Sequence, residues 1–215
     1  MATAFAPPTS PFLSIWIEPR TTIRRIVATD PTRYVLVLAA TGPAMQALGS
    51  EWAHAINKPQ ALGMLWPFGV ALWVALQAIL GVVALYGFAS LYGWTGRMLG
   101  GHARSVEMRA ALAWAQVPII VAAAIGIVGA LAGVPFPEFA KGGMPTLPRS
   151  FIELGLMELV FGWWGFVISL HTMGEVQGFS AWRALGAALL GLLIMLLILG
   201  VSVLFLIMMI RTMLH

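Results

Sequence analysis

Apolar residues fall along this chain in long blocks, divided by short joints rich in Gly, Pro and charge. A bilayer-spanning helix needs about 20 mostly apolar residues, and several blocks approach or exceed that length. The first predicted span covers 34–48; it is short and interrupted by Gly42-Pro43, so a kink or tilt is expected. A polar connection over 49–59 follows. The second block, 62–99, is too long for one perpendicular helix. The expected arrangement is a helix from Pro67 whose last turns, 92–99, emerge from the membrane, with a broken or re-entrant helix as the rival. A third span is predicted over 110–131 with Pro118 inside it, and 133–150 reads as an external Gly/Pro-rich loop. The fourth covers 152–173, a short turn 175–183, and the fifth and most apolar 184–210.

The segment ahead of these blocks has a different rhythm. Residues 1–9 are small, polar and Pro-containing and read as disordered. Ser10 before Pro11 has the form of an N-cap with proline at the first helical position. From Pro19 onward Ile23, Ile26 and Val27 recur at helical spacing while the arginines project elsewhere, which predicts an amphipathic helix at the membrane interface. Trp16 is the natural headgroup-level anchor, and Thr29-Asp30-Pro31 ends the helix, since a residue before proline is biased away from it. The fold class that follows is all-α: a polytopic membrane protein of about five transmembrane helices preceded by an interfacial amphipathic helix. Its expected parts are 1–9, the amphipathic segment 10–31 and the membrane domain 32–215.

Composition agrees. The 215 residues are 60% hydrophobic and 9% charged, with a mean hydropathy of +0.91. A soluble domain carries about a quarter charged residues, so most of this exterior must face lipid. Cysteine is absent, which excludes disulfides and thiolate metal sites. No cleavable signal peptide is recognised.

Charge changes the picture through its location. One set of loop ends receives Arg20, Arg24, Arg25, Arg33, Arg97, Arg104, Arg109 and Arg183; the other receives Lys58, Lys141, Arg149 and Arg211. Eight against four places the N-terminus in the cytoplasm and, with an odd number of spans, the C-terminus outside. The net charge of +4 is therefore read against anionic lipid headgroups and not against nucleic acid.

Motifs for soluble-enzyme chemistry are missing: no phosphate loop, no H-E-x-x-H, no dinucleotide fingerprint and no nucleophile elbow. The four histidines are far apart, and no catalytic, cofactor or metal site is expected. Ionisable and amide residues at membrane depth are the remaining leads. Glu158 lies inside the fourth span, either binding a proton or cation or, the preferred reading, pairing with Arg149 or a polar neighbour. His171 and Glu175, four apart, share a helix face; an interfacial pair is favoured over a proton relay. Gln77 and Gln116 are expected to bond between helices. Small residues four apart (Ala89/Gly93, Ala122/Gly126, Gly129/Gly133, Ala187/Gly191) predict close helix packing. Trp16, Trp52, Trp66, Trp94, Trp163, Trp164 and Trp182 read as belt residues.

Taken together, the chain resembles a bacterial member of the Yip1-domain family. SPFLSIWIEPRTTIRRIVATDP is similar to the family's N-terminal amphipathic segment. GRMLGGHARSVEMRAALAWAQVP is the most specific match, a Gly-Gly turn after the second span, a polar loop, then a span with an early proline. FSAWRALGAAL is similar to the start of the family's last span. The resemblance covers nearly the whole chain from Ser10 and implies an inner-membrane protein with five spans and a cytoplasmic N-terminus. Eukaryotic relatives work in vesicle trafficking and contact Rab-type GTPases, largely through a long cytosolic region; here only about thirty residues precede the first span.

The function expected is non-enzymatic: a membrane-organising or adaptor protein whose basic cytoplasmic face carries Trp16, Arg20, Arg24, Arg25, Arg97, His102 and Arg104. Its partners would be anionic lipid headgroups, another membrane protein or a second copy of the chain. The alternative is a small oligomeric transporter or channel with Gln77, Gln116, Glu158, His171 and Glu175 along its path.

Overall fold

A computed structural model describes residues 10–57, 63, 66–134 and 148–213. The expected disorder of 1–9, the loop across 135–147, Lys58, Lys141, His215 and the Trp52 side chain lie outside what is described. Eight helices and no strand occur among the described residues: α1 (Pro11–Ser14), α2 (Pro19–Thr29), α3 (Val35–Asn57), α4 (Trp66–Met98), α5 (Ser105–Trp114), α6 (Val117–Leu131), α7 (Arg149–Gln177) and α8 (Ala181–Met213). Four stretches are long and apolar enough to cross a membrane: α4, α5 with α6, α7 and α8; the apolar part of α3, Val35–Ser50, is shorter. The chain is an all-α polytopic membrane protein.

The proline positions explain most local departures from the predicted spans. Pro118 lacks the N–H that would bond to the carbonyl of Trp114 and crowds that carbonyl. The third span accordingly breaks at Ala115-Gln116, with α5 on one side and α6 on the other. Pro43 instead stays inside α3, and the helix continues past Leu48 to Asn57. Its cost falls on Ala39, four residues earlier, whose carbonyl loses its helical partner. Gly81 of α4 packs there: a Cβ at Gly81 would stand on the Ala39 carbonyl and 2.7 Å from Pro43 Cγ. With hydrogen in that place, the Cα–H faces the freed oxygen, a weak compensating contact. α3 and α4 form the most extensive helix pair.

Within the long second block, Trp66–Met98 is one unbroken helix of 33 residues, about 50 Å by helical rise. It exceeds a hydrocarbon core of about 30 Å by several turns, and those extra turns are where the protein has its interior. Buried side chains gather at one end of the bundle. One cluster holds Ile15, Ile23, Ile26, Leu85, Trp114 and Ile168 among others; a second holds Ala89, Ala103, Met108, Met173, Phe179 and Ala187. Toward the other end the helices expose apolar side chains, and beyond Gly191 almost every residue of α8 is exposed. In lipid that surface is solvated by acyl chains, so it costs nothing to leave open.

The amphipathic segment forms as expected, but its apolar side covers protein. Thr22, Ile23 and Ile26 of α2 are buried where α2 packs against α7 and α5. Trp16 meets Phe161 of α7 edge-on at 5.6 Å. Pro11 occupies the first turn of α1, and Ser10 makes no side-chain capping bond. Two members of the small-residue pairs lie at crossings, Gly191 of α8 against Tyr92 and Leu91 of α4 and Gly129 of α6 against Leu154 of α7, whereas Gly133 faces open space and Gly93 meets only Arg97 of its own helix.

Gly81→Val should separate α3 from α4 and destabilise the fold by about 1–3 kcal/mol, the usual cost of overpacking. Gly87→Val, on the same helix with open space around it, should leave the thermal midpoint in detergent unchanged. Equal midpoints for both variants would remove the close α3–α4 approach from the account of stability.

Candidate functional site

Three helices of this chain end in the same way. At α4, Gly100 adopts φ +86°, its N–H bonds to the Arg97 carbonyl and the Gly101 N–H to Gly96. At α7, Gly178 adopts φ +78°, and the Phe179 N–H bonds to Gly174 at 2.9 Å. Gly133 closes α6 likewise. These are Schellman caps, in which a left-handed glycine lets the chain fold back over the last carbonyls. The caps of α4 and α7 lie face to face and share one side chain. Gln177 is 1% exposed; its Nε2 donates to the Tyr92 carbonyl at 3.2 Å and its Oε1 accepts from the Ala103 N–H at 3.3 Å. Its own carbonyl accepts from the His102 N–H. The amide rests against Gly96 and Gly101, where a Cβ would collide with it. The Gly-Gly turn singled out in the sequence is thus the seat of Gln177, a residue that sequence reasoning passed over.

This junction gathers the arginines. Glu175, one turn of α7 before the cap, pairs with Arg24 Nε at 2.6 Å and Arg20 Nη1 at 3.6 Å. The hydrogen bond and the attraction of that carboxylate raise the Arg24 pKa further above its already high value. Arg20 Nη2 also donates to the Phe179 carbonyl, so α2 is tied to the α7 cap by side chains from two turns. Arg104 is spent locally, since Glu107 accepts from both its backbone N–H and its Nε and closes the first turn of α5. Arg109 lies over the Tyr86 ring at 4.6 Å. Arg25, Arg97 and Arg183 have no ion-pair partner among the described residues and are exposed. His102 stands beside Gly178.

The expected basic face therefore divides in two. Arg20, Arg24 and Arg104 hold the structure together, while Arg25, Arg97, Arg183 and His102 present charge and hydrogen-bonding capacity outward. The preferred pairing of His171 with Glu175 does not form: the carboxylate is taken by the arginines, and His171 lines a separate recess with Trp16, Arg20 and Trp164.

The intramembrane polar residues are not brought to one path. Arg149 pairs with Glu153 at 2.8 Å, which leaves Glu158 without a charged partner among the described residues. Its carboxylate lies against α6, where a Cβ on Gly126 would stand 2.9 Å from Oε1. It lines a cavity of about 490 Å³ between α3, α6 and α7, with Gln46 and Ser50 on the opposite wall. Gln116 sits at the α5–α6 break with its Oε1 beside Gly42. Neither Gln116 nor Gln77 reaches the Glu158 cavity.

One further feature adjoins the basic end. Trp114, the last residue of α5, is 1% exposed, and its indole N–H is the one buried side-chain polar group without a hydrogen-bond partner among the described residues. Such an orphan costs about 1–3 kcal/mol. Phe12 and Tyr34 pack on its ring, at 4.9 and 6.3 Å. Tyr34 has φ +60°, the only non-glycine among the described residues with positive φ, a strained conformation for a bulky side chain.

Gln177→Ala should lower stability by about 1–3 kcal/mol, since it strips the Ala103 N–H of its acceptor inside the junction. The same variant should raise hydrogen exchange across 96–104 while leaving α6 protected. Unchanged exchange there would mean that Gln177 does not hold the loop.

A family model described as the Yip1 domain matches residues 13–204. Comparison with curated proteins and with solved structures yields no significant match. The matched stretch begins in α1 and takes in both face-to-face caps, the arginine junction and every span up to the last turns of α8, and on that coverage the chain belongs to the Yip1-domain family of integral membrane proteins.

Proposed function

We propose that this chain is a non-enzymatic membrane-organising or adaptor protein of the Yip1 type, lying in a bacterial inner membrane with its basic end in the cytoplasm. The observation that carries the reading is the division of the arginines. The fold uses Glu175, Glu107 and the caps to set a rigid junction, and leaves Arg25, Arg97 and Arg183 without an ion-pair partner among the described residues around it. Rigid placement of free guanidinium groups suits recognition of acidic surfaces, because little side-chain and loop ordering remains to oppose binding. Polar loops rich in Lys and Arg favour the cytoplasmic side, where anionic headgroups attract them by about 1 kcal/mol per charge. The partner expected is an acidic cytoplasmic segment of another membrane protein, or a second copy presenting acidic residues.

A transport reading draws on a different observation, the cavity beside Glu158. A carboxylate nine residues along α7 from Arg149, about 13 Å by helical rise, stands at a depth where ionisable groups are usually functional.

Two measurements separate these readings. Affinity capture of the tagged full chain in mild detergent should bring down a stoichiometric companion from native membranes. Arg97→Glu with Arg183→Glu should lose at least about tenfold of it, the equivalent of roughly 1.4 kcal/mol, with the thermal midpoint unchanged. A companion that survives the double charge reversal rules out this surface. For transport, the purified chain in liposomes should show ion-coupled flux that Glu158→Gln abolishes; flux retained in that variant removes Glu158 from any mechanism.

A further inference from the structure

Beside the orphaned indole lies a cavity of about 400 Å³, lined by Arg25, Thr29, Asp30, Arg33, Tyr34 and Trp114 among others. Its polar wall has a definite charge. Arg25 is free of ion pairs among the described residues. Arg33 is held over the Tyr34 ring, 5.0 Å from its centre. Asp30 accepts from the Thr32 N–H and hydroxyl at 2.9 and 2.6 Å; these bonds keep its carboxyl below the usual range and hence ionised at neutral pH. Two guanidinium groups against one carboxylate leave a single net positive charge on the wall.

Pro11 and Phe12 of α1 also line this cavity, and the other side of that short helix is apolar. A groove of about 380 Å³ runs between α1, α3 and α6, lined by Leu13, Trp16, Leu38, Val117, Ile120 and Val121, and Phe12 belongs to both the cavity and the groove. α1 is thus a partition with a singly charged polar recess on one face and an acyl-sized apolar channel on the other. Tyr34, with its positive φ, and the Trp114 ring both line the polar side. Backbone strain of this kind gathers at ligand-binding recesses.

We infer that this recess and groove together bind one phospholipid whose head is a singly charged phosphodiester, with the phosphate between Arg25 and Arg33 and an acyl chain laid past Phe12 into the groove. The inference deepens the reading of the basic end as a surface for anionic headgroups, and it names a separate place on that end. Guanidinium forks match phosphate oxygens in pairs, and the single net charge favours a diester over a doubly charged phosphomonoester. A free phosphodiester would satisfy the recess and leave the groove empty, so the groove is what distinguishes a lipid from a soluble anion.

The test is native mass spectrometry of the full chain released from detergent after titration with phosphatidylglycerol, phosphatidylcholine or glycerophosphoglycerol, the head without its chains. One phosphatidylglycerol per chain should be retained, in preference to phosphatidylcholine. Arg25→Gln with Arg33→Gln should lower its occupancy roughly tenfold. Arg25→Gln alone, at a residue with no hydrogen bond or ion pair to lose, should lower it about threefold and guards against misfolding of the double variant. Val121→Trp should block the groove and reduce lipid retention while the recess stays intact. Equal retention of phosphatidylcholine, or full retention by Arg25→Gln and by the double variant, would overturn the inference. Competition by glycerophosphoglycerol at the lipid's own concentration would reduce the recess to a small-anion site and also overturn it. Arg97→Glu with Arg183→Glu should leave the lipid bound, so failure of the companion surface and failure of this site can be told apart.

Discussion

Gln177 is the side chain on which the arrangement of this protein turns. A neutral amide buried at a helix end must find partners for both its donor and its acceptor, and the partners here belong to a different pair of helices, Tyr92 of α4 and Ala103 ahead of α5. Satisfying them draws the α4–α5 loop against the α7–α8 turn. Only glycine at positions 96 and 101 leaves room for the amide. The neighbouring Glu175 then meets Arg20 and Arg24, and α2 is carried into place on the bundle. One buried amide and one carboxylate, two residues apart, thereby set the α4–α5 loop against the α7–α8 turn and seat α2 beside them.

That constraint explains why packing is so uneven along the helices. At the junction, polar groups and small residues demand close contact and a true interior forms around Ile23, Trp114, Met108 and Ile168. Farther along, the helices are apolar on all sides, and lipid solvates an isoleucine or leucine as well as another helix does. No comparable force draws α8 onto its neighbours beyond Gly191, and it stays exposed to its end. Chemistry follows the same division. Free arginines, the strained Tyr34 and the orphaned Trp114 all belong to the packed end, where a rigid surround can hold a group in an unfavourable state.

Much of this was legible along the chain, for identifiable reasons. The blocks of apolar residues marked the spans because length and hydropathy alone govern insertion. Pro19 and Pro31 marked boundaries because a missing N–H acts locally, and the same effect divides the predicted third span ahead of Pro118. Pro43 did not end its helix, because Gly81 of α4 covers the carbonyl it disrupts, and nothing near Pro43 in sequence announces that. The candidate residues fared according to how local their partners are. Arg104 with Glu107 and Arg149 with Glu153 are three and four apart and could be read from spacing. Glu175 was expected to face His171 by the same rule, yet arginines about 150 residues away carry full charges and outcompete a neutral neighbour. Gln177 went unnoticed because a lone glutamine near a helix end gives no pattern; only the Gly-Gly and Gly-Phe pairs flanking its contacts hinted that something sits between two caps.

By itself, then, the sequence determined that this protein is a helical membrane protein, where its spans lie, and that its arginines cluster on the loops between alternate spans. These follow from transfer free energies and backbone chemistry, which act residue by residue. Which arginines are free and which are structural was decided only by the tertiary structure. So were the isolation of Glu158 from Arg149 and the joining of a charged recess to an apolar groove across α1. Each depends on helices distant in sequence meeting at a given height and rotation, and that is set by the shape of small residues and by the partners of a single buried amide.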